Sequence, residues 1–301
     1  MPPRLDWPRE WACDRSGKPV WFHPGSNLCL DFHGDLRVAG AVVFSDGNHH
    51  MALGEALARF CTLHPDVGDI FYATTPPAVL VRMLESGGLG LGNLFIGARP
   101  HIFISPAPVL AELASRGYVA RHAAFARSRG NVLLVRGGNP RAIRSVRDLA
   151  RPDVRVFLSN PRTEAASYQV YRETLARCAR RVAVDLGAIL TAEAAARVVY
   201  GECIHHREAP QALADDRADV AVLYYHLALR YTRIFPGHFE IVALDAGGGA
   251  EPAPSPDNVT TQYHVGLVGD GGAWGGELAD FLLSDSVARI YEAHGLMRVA
   301  D

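Results

Sequence analysis

The chain has 301 residues, of which 49% are hydrophobic and 21% are charged, with a formal net charge of −2. This composition is that of a globular protein long enough for two domains, and the near-neutral charge excludes bulk-charge binding of nucleic acid. The five cysteines are an odd number without a C-x-x-C pair, so a disulfide scaffold is not expected. No apolar stretch reaches about 18 residues, which predicts no membrane span. No signal peptide is visible, so the sequence as given predicts a cytoplasmic protein, or a periplasmic one if a signal peptide was removed.

Strands and helices alternate beyond an irregular N-terminal arm at residues 1–38, which is typical of an α/β fold with a largely parallel sheet. A Gly/Pro-rich surface loop is predicted at 246–258. The predicted strands are 39–44, 69–73, 101–105, 132–135, 155–158, 220–224, 239–244 and 263–268. The predicted helices are 50–61, 78–85, 108–116, one from Glu164 through Cys178, 276–283 and 286–294, the last one capped by Gly295.

The first strand-to-helix turn, within residues 42–53, is the most informative segment. An apolar run stops at a polar cluster, and a helical apolar pattern follows. The free N–H groups and positive dipole end of such a turn suit an anion, and its side chains could also hold a metal. Two adjacent histidines on a helix point about 100° apart, so both can hardly reach one ligand. The candidate residues of this turn are Ser45, Asp46, Asn48, His49 and His50, with Asp46 either a helix cap or a ligand.

Two threonines, Thr74 and Thr75, follow the next strand along the chain. Hydroxyls at this position are candidates for ligand contact because ligands of open α/β sheets bind at the carboxyl ends of strands. Thr75 is equally well suited to cap the following helix, with Pro76 at the first helical position. Capping and ligand contact remain open for this residue.

The order of these segments resembles the type II periplasmic substrate-binding proteins, and within them the molybdate/tungstate-binding group. The resemblance covers about residues 40–301. It rests on Val43-Phe44-Ser45, Ala73-Thr74-Thr75, Pro100-His101-Ile102-Phe103-Ile104-Ser105, Asp219-Val220-Ala221-Val222-Leu223-Tyr224, and the closing segments Phe281-Leu282-Leu283 and Ala293-His294-Gly295-Leu296. It implies two α/β lobes of mixed sheets flanked by helices, with the ligand in a cleft between them. The implied lobes are residues 39–127 with 266–301, and residues 128–265.

The resemblance implies a non-catalytic solute-binding protein that captures a molybdate- or tungstate-like oxyanion and delivers it to an ABC transporter permease. Ser45, Thr74, Thr75 and Tyr224 would donate hydrogen bonds to the ligand. The loop 159–164, which includes Asn160, would add backbone donors. The chain departs from the family's pattern in its N-terminal arm, its missing export signal and the many histidines and carboxylates of its turns.

Two alternatives remain open from the sequence. A second histidine pair, His205-His206, lies near Glu208, so these groups with His49, His50 and Glu164 could hold a divalent transition metal on the same fold. The missing export signal and the possible acid/base groups also allow a cytoplasmic enzyme. No Ser-His-Asp spacing, Walker loop or dinucleotide fingerprint specifies a reaction, and the glycine-rich segment 269–276 is interpreted as a flexible loop.

Overall fold

The computed structural model of the chain describes residues 32–91, 93–191, 197–202, 204–244, 252 and 255–299. The described residues form two compact units. The first unit comprises residues 32–127 and 262–299, and the second comprises residues 128–261. Most of the predicted N-terminal arm and of the predicted 246–258 loop lies outside the described residues.

The elements follow the alternating order that the sequence predicts. The strands are β1 (Phe32–His33), β2 (Ala39–Ser45), β3 (Asp69–Thr74), β4 (Gly88–Leu91), β5 (Leu94–Gly97), β6 (Ile102–Pro106), β7 (Val119–Arg127), β8 (Asn131–Arg136), β9 (Val156–Leu158), β10 (Val198–Tyr200), β11 (Val220–Tyr224), β12 (Phe239–Ala243), β13 (Gln262–Val268) and β14 (Met297–Arg298). The helices are α1 (His50–Leu63), α2 (Pro77–Ser86), α3 (Ala107–Ser115), α4 (Ala165–Arg181), α5 (Gly187–Leu190), α6 (His205–Ala214), α7 (Tyr225–Ile234), α8 (Gly275–Leu282) and α9 (Asp285–Ala293).

The first unit is built on a seven-stranded sheet in the order β1-β3-β2-β6-β13-β7-β14. Strand β2 pairs in parallel with β3 and β6, whereas β13 is antiparallel to β6 and β7. Alternate residues of the strands point to opposite faces of the sheet and contribute to two apolar clusters. One cluster includes buried residues of α1, α8 and α9, and the other includes those of α2 and α3. The sheet is therefore covered by helices on both faces, as its nearly continuous apolar strands predict.

The second unit is built on a five-stranded sheet in the order β10-β9-β11-β8-β12. Strand β9 lies parallel to β10 and β11, and β8 is antiparallel to β11 and β12. Its core packs Phe157, Leu223 and Val132 against residues of α6 and α7. The mixed α/β architecture that the resemblance implies is confirmed in both units. The largely parallel sheet predicted from the alternating elements is wrong for the first unit, where, among the described strands, only the pairs of β2 with β3 and β6 are parallel.

Several predicted details are wrong. Residues 32–33 form an edge strand instead of belonging to an irregular arm. Helix α2 begins at Pro77 with Pro76 as its N-cap, and no side chain caps it, so Thr75 is not the cap. Glu164 precedes helix α4 as its N-cap residue without a capping side-chain bond. The hairpin β4–β5, strand β7 and helix α7 were not predicted.

Asn258 stabilises the start of β8 with a reciprocal pair of hydrogen bonds. Its Oδ1 accepts the N–H of Asn131 at 2.7 Å, and its Nδ2 donates to the carbonyl of Asn131 at 2.9 Å. Asn258→Ala is expected to lower the free energy of unfolding by at least about 2 kcal/mol, because buried backbone groups left unpaired cost about 1–3 kcal/mol each. Urea unfolding measures this. The matched control Asn93→Ala, at an exposed turn, is expected to change it by less than about 0.5 kcal/mol, and equal losses would contradict this role of Asn258.

Candidate functional site

The carboxyl ends of β2, β3 and β6 meet at one edge of the first sheet. Ser45 of β2 lies directly beside Thr74 of β3. The N–H of Asp46 donates to the carbonyl of Ile104 at 2.9 Å, and the N–H of Thr75 donates to the carbonyl of Ser45 at 3.1 Å. We call this group the first strand-end cluster; its members are Ser45, Asp46, Asn48, Thr74 and Thr75.

The hydroxyl groups of the first strand-end cluster are buried and hydrogen-bonded. Ser45 Oγ donates to the carbonyl of Asp46 at 3.0 Å. Thr74 Oγ1 is hydrogen-bonded to Nε2 of His33 at 3.2 Å. Thr75 is only 1% exposed. The predicted donors Ser45, Thr74 and Thr75 therefore lie together, and an anion bound there has to exchange or share the present partners of Ser45 and Thr74.

Asp46 caps the turn that follows β2. Its Oδ1 accepts the N–H of Asn48 at 2.8 Å, so one of the backbone donors predicted for an anion is used by the protein's own carboxylate. Desolvation of the carboxyl raises the pKa of Asp46 to about 6, although the Asn48 N–H lowers it. The negative charge at this turn is thus costly and is lost in mildly acidic solution.

The first histidine pair does not form a metal site. His49 is fully buried, with Nδ1 hydrogen-bonded to the Tyr291 hydroxyl at 2.9 Å and its ring 4.6 Å from that of Tyr263. His50 donates from Nδ1 to the carbonyl of Gly47 at 2.9 Å. His49 therefore packs in the core between α1 and α9. His50 stabilises the turn between β2 and α1 through its hydrogen bond to Gly47.

A second polar group lies at the carboxyl ends of the parallel strands β9, β10 and β11. Asn160 donates from Nδ2 to the carbonyl of Gly201 at 3.1 Å and accepts the N–H of Arg162 at 2.9 Å. The Tyr224 hydroxyl is hydrogen-bonded to Thr261 Oγ1 at 2.9 Å. We call this group the second strand-end cluster; its members are Ser159, Asn160, Glu164, Glu208 and Tyr224.

Two carboxylates, of which Glu208 is buried and Glu164 is half-buried, fix the connection between β10 and α6. Glu164 accepts the N–H of His205 at 2.8 Å, and Glu208 accepts those of Glu202 and Ile204 at 2.8 Å each. Desolvation and, to a smaller extent, the neighbouring Glu208 charge together raise the pKa of Glu164 to about 7, against the lowering effect of the His205 N–H. The amides at the start of α6 are therefore already bound by carboxylates of the chain itself.

The second histidine pair lies in the first turn of helix α6. His205 stacks on Phe157 with ring centroids 5.0 Å apart, and its Nε2 lies 3.5 Å from the Phe157 carbonyl oxygen. Desolvation lowers the pKa of His205 to about 3, so its ring is neutral. His206 is 8% exposed.

No described residues bring together three or more His, Cys, Asp or Glu side chains that could hold a metal ion. The predicted ligands His49, His50, His205 and His206, with Glu164 and Glu208, therefore do not form a metal centre within the described chain.

Two serines that the sequence analysis did not single out have unusual surroundings. The hydroxyls of Ser105 and Ser159 are fully buried and have no hydrogen-bond partner among the described residues. Buried polar groups are nearly always hydrogen-bonded, so a buried hydroxyl without a partner is a candidate for contact with a ligand. Each serine ends or directly follows a strand of the parallel edge, β6 or β9. That position was the signal available in the sequence.

The fold is similar to those of several solved solute-binding proteins. One is the sulfate-binding protein SubI of Mycobacterium tuberculosis H37Rv, at 16% identity and a TM-score of 0.63, with 86% of each chain covered. Another is the periplasmic molybdate-binding protein of Azotobacter vinelandii, at 12% identity and a TM-score of 0.58, covering 87% of this chain and 99% of that one. The tungstate-binding protein TupA of Desulfovibrio alaskensis G20 is 10% identical, with a TM-score of 0.55 and coverage of 87% and 99%.

None of the curated protein sequences compared with this chain matches it. Among the described helices, none combines the length and apolar character needed to cross a membrane. The sequence of residues 41–297 matches the family described as bacterial extracellular solute-binding protein. Because this match spans most of the chain and the fold agrees with it, the chain belongs to this family of solute-binding proteins.

Proposed function

We propose that the protein is the non-catalytic binding component of an ABC-type uptake system and captures a small tetrahedral oxyanion of the molybdate or tungstate class. One observation carries the proposal. Ser45 and Thr74 lie side by side where two parallel strands end, with Thr75 hydrogen-bonded to the same edge. Ligands of open α/β sheets bind at such edges. Three proteins of similar fold, a sulfate-binding, a molybdate-binding and a tungstate-binding protein, support the class of ligand.

Hydroxyl groups are better placed than backbone amides to select this ligand. Pro76 and Pro77 at the start of α2 have no N–H, and Asp46 takes the N–H of Asn48 before α1. In the second unit, the N–H groups of Arg162 and Glu164 bond to Asn160 within their own loop. The predicted backbone donors of 159–164 are thus partly used internally, and neutral hydroxyls remain as the main donors to an oxyanion.

The second strand-end cluster adds two hydroxyls to the proposal. The Tyr224 hydroxyl ends β11, and the buried Ser159 hydroxyl after β9 has no partner within the described chain. A hydroxyl without an internal partner gains a full hydrogen bond when an anion accepts from it. We propose that Ser159 and Tyr224 are the hydroxyl donors that the second unit offers to the ligand.

The family description supports export and a partner. The family is described as extracellular, so we propose that the protein acts outside the cytoplasm and passes its ligand to a membrane permease.

Isothermal titration calorimetry with molybdate, tungstate and sulfate tests the proposed function. Saturable binding of at least one of these anions is expected. Ser45→Ala and Tyr224→Phe are each expected to weaken it by about 10- to 100-fold, since a hydrogen bond to a charged group contributes about 1.5–3 kcal/mol. Thr62→Ala, which removes an exposed hydroxyl bonded within α1, is the matched control. Absence of heat with all three anions, for folded protein freed of bound ligand, would refute the proposal.

The carboxyls of Asp46 and Glu164 predict how the affinity depends on pH. The pKa is about 6 for Asp46 and about 7 for Glu164, so both carboxyls are neutral below pH 5 and ionised above pH 8. Because a carboxylate repels a bound oxyanion, affinity is expected to fall as the pH rises through this window, on the order of tenfold for about 1.4 kcal/mol of repulsion.

Asp46→Asn and Glu164→Gln, which keep an oxygen acceptor for the amides they bind, are expected to flatten this dependence and to strengthen binding at pH 8. Calorimetry between pH 5 and pH 8 measures both effects. Asp280→Asn, on the exposed side of α8, serves as the control. A Glu164→Gln variant whose pH profile equals that of the parent would contradict the role given to Glu164.

A further inference from the structure

Two histidines far apart in sequence meet on one face of the first sheet. In the register of β6, β13 and β7, His264 lies between Ser105 and Ala124, and Gly266 lies beside His122. Side chains alternate across a strand, so these residues share the face that α3 covers. A Cβ at position 266 would lie 2.5 Å from Leu110 Cδ1 and 3.5 Å from His122 Cβ. The small neighbours leave room for the two rings to lean together.

The two rings are in direct contact through like atoms. His122 Nδ1 lies 2.8 Å from His264 Nδ1, and the ring centroids are 5.0 Å apart at 51°. One Nδ1 has to donate and the other to accept, so a single proton lies between two lone pairs aimed at one point. Both residues are only partly buried.

The outer nitrogen of His264 has a neighbour suited to hold it. His264 Nε2 and Ser105 Oγ are both buried and both lack a hydrogen-bond partner among the described residues. They belong to directly paired residues, whose Cβ atoms are about 4.5–5.5 Å apart in an antiparallel sheet. A small rotation of either side chain, or one water, joins the two atoms.

We propose that His122 and His264 form an exchangeable binding site for a divalent transition metal such as Zn²⁺, separate from the oxyanion site, with Ser105 as the positioning residue of His264. Zn–N bonds of about 2.0–2.1 Å in tetrahedral geometry place two nitrogens about 3.3 Å apart. The rings need to separate by about 0.5 Å to admit the ion. Metal-bound histidines usually donate their other N–H to an acceptor, which Ser105 Oγ supplies.

The donor set selects the class of metal. Neutral imidazoles favour zinc, copper and nickel over magnesium and calcium, which prefer oxygen ligands. Desolvation lowers the pKa of His264, and the neighbouring His122 lowers it further, which keeps His264 in the neutral form that binds metal. Two protein ligands leave the other positions to water, so the ion exchanges readily. Its binding cross-links β7 and β13, which are distant in sequence.

Titration of the metal-stripped full chain with Zn²⁺ tests the proposal, monitored by calorimetry and by ¹⁵N resonances of the histidine rings. One saturable site is expected, with Nδ1 shifts assigned to His122 and His264. His122→Ala and His264→Ala are each expected to abolish that site. Ser105→Ala is expected to weaken it by about 10- to 100-fold while leaving the ring shifts of the zinc-loaded state in place.

Three further variants make the test decisive. His294→Ala removes a surface histidine paired with Glu55 and is expected to leave the site unchanged. Ser45→Ala is expected to weaken oxyanion binding by about 10- to 100-fold but to keep zinc binding, which separates this inference from the proposed function. His122→Gln replaces His122→Ala if that variant fails to fold. Absence of zinc-induced shifts at both rings, or equal zinc binding by folded His122 and His264 variants, would show that the pair shares only a proton and would overturn the proposal.

Discussion

Parallel pairing of neighbouring strands is the constraint on which the candidate site depends. Because β2 runs parallel to β3 and β6, their polar carboxyl ends are brought to one edge, where Ser45 and Thr74 become neighbours. These residues are at most 2% exposed, so each polar group needs a partner inside the protein or in a ligand. The same constraint operates in the second unit, where β9, β10 and β11 end together. Fold and site are therefore built from the same hydrogen bonds.

A strand is predicted well from the sequence where it is a continuous apolar run. It is predicted poorly where the strand forms only because it pairs with a neighbouring strand. Strand β11 and the part of β2 before Ser45 are apolar runs and were predicted from the sequence. Strand β7 has exposed and half-buried residues along most of its length, so it carries no strand-like pattern and forms because it pairs with β13. Helix α6, which contains Pro210 and begins with polar residues, was not predicted. The first turn of α2 shows the limit of local rules, since two successive prolines move the helix start by one residue.

Histidines show why neighbours in sequence are poor guides to a metal site. His49-His50 and His205-His206 are adjacent in the chain, yet His49 and His205 are buried among aromatic rings. Adjacent residues of a helix diverge by about 100°, and the apolar surroundings then keep an imidazole neutral as a core side chain. The imidazoles that face each other belong to different strands and are separated by 142 positions. Only the register of β7 and β13, which the sequence does not specify, brings them together.

The chain's own carboxylates explain why an oxyanion site here would depend on hydroxyls. At the β2–α1 turn and at the start of α6, the amides that a helix start offers to anions already bind Asp46, Glu164 and Glu208. A dianion at these places would have to displace a carboxylate and would meet its charge, whereas a hydroxyl donates without repulsion and without a fixed proton position. Raised pKa values at Asp46 and Glu164 reduce that repulsion in mildly acidic solution. Selectivity would thus arise from neutral donors placed by strand pairing, with these carboxyls setting the pH range over which those donors are effective.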